Sequence, residues 1–232
     1  MKFLSMCFVI MLWGIMPSVC NAGAAALALR KCREEAHMAP PEVEVIYNYG
    51  NLVFDYNISS EQLSEKVQAM YSNKITHRIT GLTELSPYIV VESSIVQSGT
   101  TRYLCYYPEK VKVKVGYEPV VYIRQDLQKG TCRYNLTIRH EQTHLDIGDL
   151  AMTNFLQEIK RSLPRIIKEV GVIVKPYSDK VSALDNSNEL NNLYRKQLSH
   201  MFDRFVKNMV AQQMRIDTME SYNAAGSLCP SD

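Results

Sequence analysis

The chain has 232 residues, of which 46% are hydrophobic and 22% charged, with 26 Lys and Arg against 24 Asp and Glu. That apolar content excludes a disordered chain, and the near-balanced charge leaves no electrostatic footprint for nucleic acid. The length suits a single domain that can bury a sizeable core without a metal staple.

The first residues read as an export signal. Lys2 precedes a largely apolar run from Phe3 to Met16, which Pro17 ends and the small residues Ser18, Ala22 and Ala24 follow. A charged start, an apolar middle and a small-residue cleavage zone define a secretory signal peptide. Residues 1–24 are assigned to it, with cleavage expected after Ala22 or Ala24, and residues 25–232 to one domain. The apolar run falls short of the roughly 20 residues of a spanning helix, and no later stretch qualifies. No stable membrane insertion is therefore expected after cleavage, and the expected location is secreted or periplasmic.

Four cysteines lie beyond the signal: Cys32, Cys105, Cys132 and Cys229. An even count in an exported chain suggests disulfides. Of the three possible pairings, Cys105–Cys132 with Cys32–Cys229 is favoured. The first would tie a strand to a helix start. The second would tie the ends of the domain, and long loops remove the most unfolded-state entropy.

An alanine-rich leader ends at Pro40-Pro41, and Glu42 to Tyr49 then alternates with Val43, Val45 and Tyr47 on one face, the pattern of a strand. Ser59 and Gln62 form a capping box for a helix from Ser60 to Ser72. Strands are read at Ile89 to Val96, at Arg102 to Tyr107 and from Pro119 through Val120 to Arg124. Between the last two, Val111, Val113 and Val115 alternate with Lys110, Lys112 and Lys114, giving one dry face and one wet, lysine-rich face. Thr131 caps a helix from Cys132 through Ile147 that resumes to Leu163, with Pro164 or Gly171 ending it. A last helix runs from Asn188 to Tyr222 with the stripe Leu190, Leu193, Leu198, Met201, Phe202, Phe205, Met209 and Ile216. Strands first and helices after predict an α+β fold: an antiparallel sheet in the N-terminal half, then a site-bearing helix and long C-terminal helices.

The chemistry-bearing run is His140-Glu141-Gln142-Thr143-His144. Helix positions four apart share a face, so both imidazoles can reach one zinc at about 2.0–2.1 Å. Glu141 beside them can take a proton from water that the metal activates. Such a pattern arises by accident in on the order of one chain in a hundred. Here it holds two of five histidines and falls on a predicted helix. Leu136, Ile138, Leu145, Ile147 and Leu150 make that helix apolar on more than one side, which predicts burial and gives the histidines need of a partner. A third ligand is open among Asp149, Glu158, Glu169, Asp217 and Glu220, with His200 a further option. Asp149 faces away from the histidines, whereas Asp217 continues the helical line Val206, Val210, Gln213. His37 and His77 lie in expected loops and take no role.

Several runs carry a resemblance. They are Cys105, Val111 to Ile123, Gly130-Thr131-Cys132-Arg133-Tyr134 and His140-Glu141-x-x-His144, with Gly81-Leu82-Thr83 upstream and Ile216-Asp217-Thr218, Tyr222 and Cys229 downstream. Together they resemble a family of exported bacterial proteins described as secreted zinc-dependent proteases. The resemblance covers nearly all of the mature chain and implies a zincin-like fold, a bacterial source and Zn2+ as cofactor. It also places Asp217 first for the third ligand.

The expectation is a zinc metallopeptidase acting on a peptide or protein substrate. His140, His144 and Asp217 hold the metal, Glu141 is the general base, and Val120 to Arg124 is an edge strand able to pair with an extended peptide. The alternative is a cell-envelope binding or scaffolding module with the same fold and no turnover.

Overall fold

A computed structural model describes residues 18–38, 40–71, 79–99, 103–178 and 182–229. The signal-peptide assignment lies largely outside the described residues, as does His77. From Ser18 onward the chain is helical, in α1 (Ser18–Met38). In order there follow β1 (Glu42–Tyr49), β2 (Val53–Ile58), α2 (Ser60–Tyr71), β3 (Gly81–Gly99), β4 (Tyr103–Arg124), α3 (Cys132–Val170), β5 (Ile173–Pro176), α4 (Ala183–Gln213) and α5 (Met219–Ser227).

The antiparallel sheet expected from sequence is corrected. The five strands form a mixed sheet around β4, in which β1 and β2 pair with it in parallel while β3 and β5 pair antiparallel. Period-two alternation reports which face is dry but says nothing of strand direction, so the sequence pattern was blind to this. From Tyr103 onward, the three stretches read separately up to Arg124 are one strand, the 22-residue β4. β3 runs along all of it on one side, and β5, β1 and β2 lie end to end on the other.

Pro119 falls at the junction between β1 and β2, which pair as far as Tyr117 and from Val120. Gly50 N–H donates to Tyr117 O at 3.0 Å, so Tyr117 and, two residues on, Pro119 turn their backbone groups to that junction. The proline's missing N–H therefore leaves no ladder bond unmade.

Val120 to Arg124 is not an edge. Val121 pairs with Phe54 on one side and Thr83 on the other, and Tyr122 with Asp55 and Leu82. The dry and wet faces are as the alternation predicts. Val111, Val113 and Val115 are fully buried, while Lys110 and Lys112 meet Glu44 and Lys114 meets Glu92 across the strands. On the dry face, Met152, Phe155, Ile159 and Leu163 of α3 pack with Leu190, Tyr194, Leu198 and Phe205 of α4 into the main core. At the far end of the opposite face, Leu63 and Val67 of α2 close over Leu82 and Ile79.

α3 is continuous for 39 residues, through Pro164, and ends at Gly171 with φ 67°. Its N-cap is Thr131, whose hydroxyl accepts from Tyr134 N–H at 3.2 Å. It is not buried all round, because Leu150 is 62% exposed. α4 stops at Gln213 rather than at Tyr222, and a turn separates it from α5. The cysteines pair as Cys32–Cys105 and Cys132–Cys229, not as favoured above. The first bridge ties α1 to β4, and the second ties the first residue of α3 to the tail beyond α5.

Candidate metal centre

The site grows from the meeting of α3 with the start of β3. Gly81 is required there, since a Cβ on it would lie 2.6 Å from Glu141 Oε1 and 2.7 Å from Thr137 Cγ2. Thr83, two residues on and on the same face, donates to Glu141 Oε2 at 2.8 Å. Glu141 is 3% exposed. Burial raises its pKa, with His144, His140 and the Thr83 hydroxyl pulling the other way.

One turn apart on α3, His140 and His144 turn their Nε2 atoms toward each other at 3.2 Å. Asp217 Oδ1 lies 3.0 Å from each. Asp217 arrives from the turn after Gln213, because the break between α4 and α5 swings the chain back over α3. Its carboxyl is held well below its ordinary range. Burial works against this, but the two imidazoles outweigh it. Burial likewise lowers the His144 pKa, and the bond to Asp217 with the charge of Glu141 more than reverses it.

Gln213, the last residue of α4, grips His144 twice. Its Nε2–H donates to the His144 carbonyl at 3.0 Å, which leaves Oε1 to accept from His144 Nδ1–H. A neutral His144 then carries its proton on Nδ1 and presents a bare lone pair at Nε2. In that form the lone pair faces a carboxylate oxygen and a second imidazole nitrogen, a set of donors that a metal ion could bridge. Tyr222 on α5 lays its ring 5.1 Å from that of His140 and donates its hydroxyl to Asp217 Oδ1 at 3.1 Å.

The donor set passes a geometric test. Ligands about 2.0–2.1 Å from a tetrahedral ion stand about 3.3–3.4 Å apart. The three atoms here are separated by 3.0, 3.0 and 3.2 Å, so a small displacement outward admits an ion. His140, His144 and Asp217 could hold a metal ion, and among the described residues no fourth His, Cys, Asp or Glu joins the group.

The other candidates lie elsewhere. Asp149 accepts the Tyr47 and Tyr117 hydroxyls at 2.7 and 2.6 Å, on the sheet side of α3. Glu158 pairs with Arg204, Glu169 pairs with Arg165, and Glu220 and His200 are exposed. His37 lies near the end of α1. Sequence reasoning gave no role to Gln213, Thr83 or Tyr222. Gln213 stood in the helical line that leads to Asp217, and no spacing rule marks a lone threonine on a strand.

Fold and site define a mixed-sheet α/β protein in which two histidines of α3 and an aspartate from the turn after α4 come together. Comparison with family models, with curated proteins and with solved structures gives no match to this chain. The zincin-like fold expected from the sequence resemblance thus has neither the sheet nor a structural counterpart behind it.

Proposed function

We propose that the chain is an exported zinc metallopeptidase that hydrolyses peptide bonds. The observation that carries the reading is the three-donor triangle with no fourth protein ligand among the described residues, set beside a buried carboxylate. Structural zinc sites are closed by four protein ligands, whereas catalytic ones keep a position open. Two histidines and a carboxylate also suit ferrous iron. Glu141 favours zinc in this reading, since a buried carboxylate next to the ligands suits hydrolysis. The sequence resemblance to exported zinc-dependent proteases supports the same choice.

Zinc at this centre would supply activated water and polarise the scissile carbonyl. The chain's own residues do the rest. His140, His144 and Asp217 hold the ion, and Gln213 fixes the ring of His144. Glu141, its proton affinity raised by burial, takes the proton of the attacking water and returns it to the leaving amine. Thr83 holds the Glu141 carboxylate in place. Among the described residues, the start of β3 pairs with β4 on one side and with no strand on the other. An extended peptide laid along that edge would gain main-chain hydrogen bonds beside Glu141.

The two disulfides are compatible with an extracytoplasmic chain, and no described helix is long and apolar enough to cross a membrane. The test is elemental analysis of the oxidised protein, followed by a peptide-library assay. About one zinc per chain is expected, lost in His144→Ala. Glu141→Gln should keep the zinc and lose hydrolysis. Iron in place of zinc, or hydrolysis retained in Glu141→Gln, overturns the reading.

A further inference from the structure

The Cys132–Cys229 bridge closes a short ring around the metal centre. Cys132 opens α3 eight residues before His140, and Cys229 stands twelve residues after Asp217. The ring runs down two turns of α3, across the contact between His140 and Asp217, and back along α5 to the bridge. α5 is held to the body lightly. Among the described residues it is absent from the element pairs that pack broadly on one another, and much of it faces solvent. Among those residues it is tied to the body through the bridge beyond its end and through Tyr222, whose ring lies on His140 and whose hydroxyl reaches Asp217.

The two bridges differ in access. Cys32 and Cys105 are 1% and 5% exposed, whereas Cys132 is exposed and Cys229 half-buried. A dithiol can reach the second bridge in the folded protein and not the first.

We propose that Cys132–Cys229 is a redox latch on the metal centre, closed when Asp217 is held as third ligand and opened by thiol–disulfide exchange with a dithiol. The inference rests on the metal-centre reading above. In the exchange, a thiolate of the dithiol attacks Cys132 Sγ, the S–S bond breaks, and Cys229 leaves as a thiolate that takes up a proton. The reductant's second thiol then attacks the mixed disulfide and releases Cys132. Two electrons pass to the protein, and the dithiol becomes a disulfide. With the latch open, α5 and Asp217 are free to leave, while Gln213 keeps His144 in place with His140 beside it. The centre falls from three ligands to two, and its hold on zinc weakens without global unfolding.

The experiment uses the oxidised mature chain. It is treated with dithiothreitol under native conditions, alkylated with iodoacetamide and desalted, because the dithiol itself binds zinc. Mass mapping shows which bridge opened, and competition with a chromogenic chelator gives the zinc affinity. The expected result is alkylation at Cys132 and Cys229 first, with zinc affinity lowered about tenfold or more, in line with losing a positioned group at a metal site. The double variant Cys132→Ser/Cys229→Ser should show the same weakened affinity and no thiol dependence. Cys32→Ser/Cys105→Ser should lower the melting temperature and leave zinc affinity unchanged, which separates a latch from a general staple. The melting transition reports folding in every arm, and the alkylated wild type serves if the serine variant does not fold. Opening of Cys32–Cys105 first overturns the latch, as does zinc binding by the open form within about threefold of the oxidised chain. An oxidised chain that binds no zinc fails the metal-centre reading itself, and the latch with it.

Discussion

Gln213→Ala tests the site's architecture without touching a ligand. The carboxamide is buried, accepts from His144 Nδ1–H and donates to the His144 carbonyl. The carbonyl keeps its helical partner in the variant, but the ring N–H is left buried with no acceptor. An unmet donor of that kind costs about 1–3 kcal/mol, and the second hydrogen bond about 1 more. Stability should therefore fall by roughly 2–4 kcal/mol. Once its proton is no longer fixed on Nδ1, His144 spends part of its time in the wrong tautomer and orientation. Zinc affinity should drop about 10–100-fold. A chelator competition titration reads the affinity, and thermal melting of the metal-free protein reads the stability. Gln213→Glu keeps an oxygen for Nδ1–H but sets a carboxylate oxygen against the His144 carbonyl, so it should recover only part of the loss. A folded Gln213→Ala chain that binds zinc within about threefold of wild type would refute the reasoning.

Three further outcomes are expected. Gly81→Ala forces a methyl against Glu141 Oε1 at 2.6 Å, and should cost about 1–3 kcal/mol in a denaturant titration while displacing the base. Asp217→Asn keeps the shape and removes the charge, so zinc retention on dialysis against a weak chelator should fall. The metal-free chain should also melt lower at neutral pH, because a carboxyl held below its ordinary range by the two imidazoles stabilises the fold when ionised. The hydroxyls of half-buried Tyr47 and buried Tyr117, both bonded to Asp149, have pKa values raised by burial first and Asp149 second. The unfolded chain then releases these protons before the folded one. Stability is full below about pH 10 and declines as pH rises beyond it. Tyr117→Phe should flatten that alkaline limb in melts taken from pH 8 to 11.

The start of the helix carrying His140, Glu141 and His144 was legible, although the break read after Ile147 is absent and the helix runs on through Pro164. Thr131 caps it, and the four-residue spacing of the histidines needed only a helix to become a shared face. Asp217 was harder. Chemistry and a helical line admitted it, but α4 ends before it, and the turn that swings it onto the histidines depends on tertiary packing. The reading of Val120 to Arg124 as an edge failed for a related reason: local alternation marks a strand and not the number of its neighbours. Strand direction was invisible on the same ground, because β1 and β4 pair in register across more than sixty residues of intervening chain. The disulfide pairing went wrong because loop-closure entropy ranks long loops highest, while the fold decides which cysteines meet.

That pairing has a consequence for how the molecule is made. Each bridge joins neighbours in the order of the cysteines, Cys32 with Cys105 and Cys132 with Cys229, so neither loop encloses the other. In a chain crossing a membrane N-terminus first, Cys32 would meet Cys105 before Cys132 had emerged. Oxidation in order of arrival would then give the native pairs. The bridge from α1 to β4 would be sealed before α3, α4 and α5 arrive, and the bridge beside the candidate metal ligands would form after it.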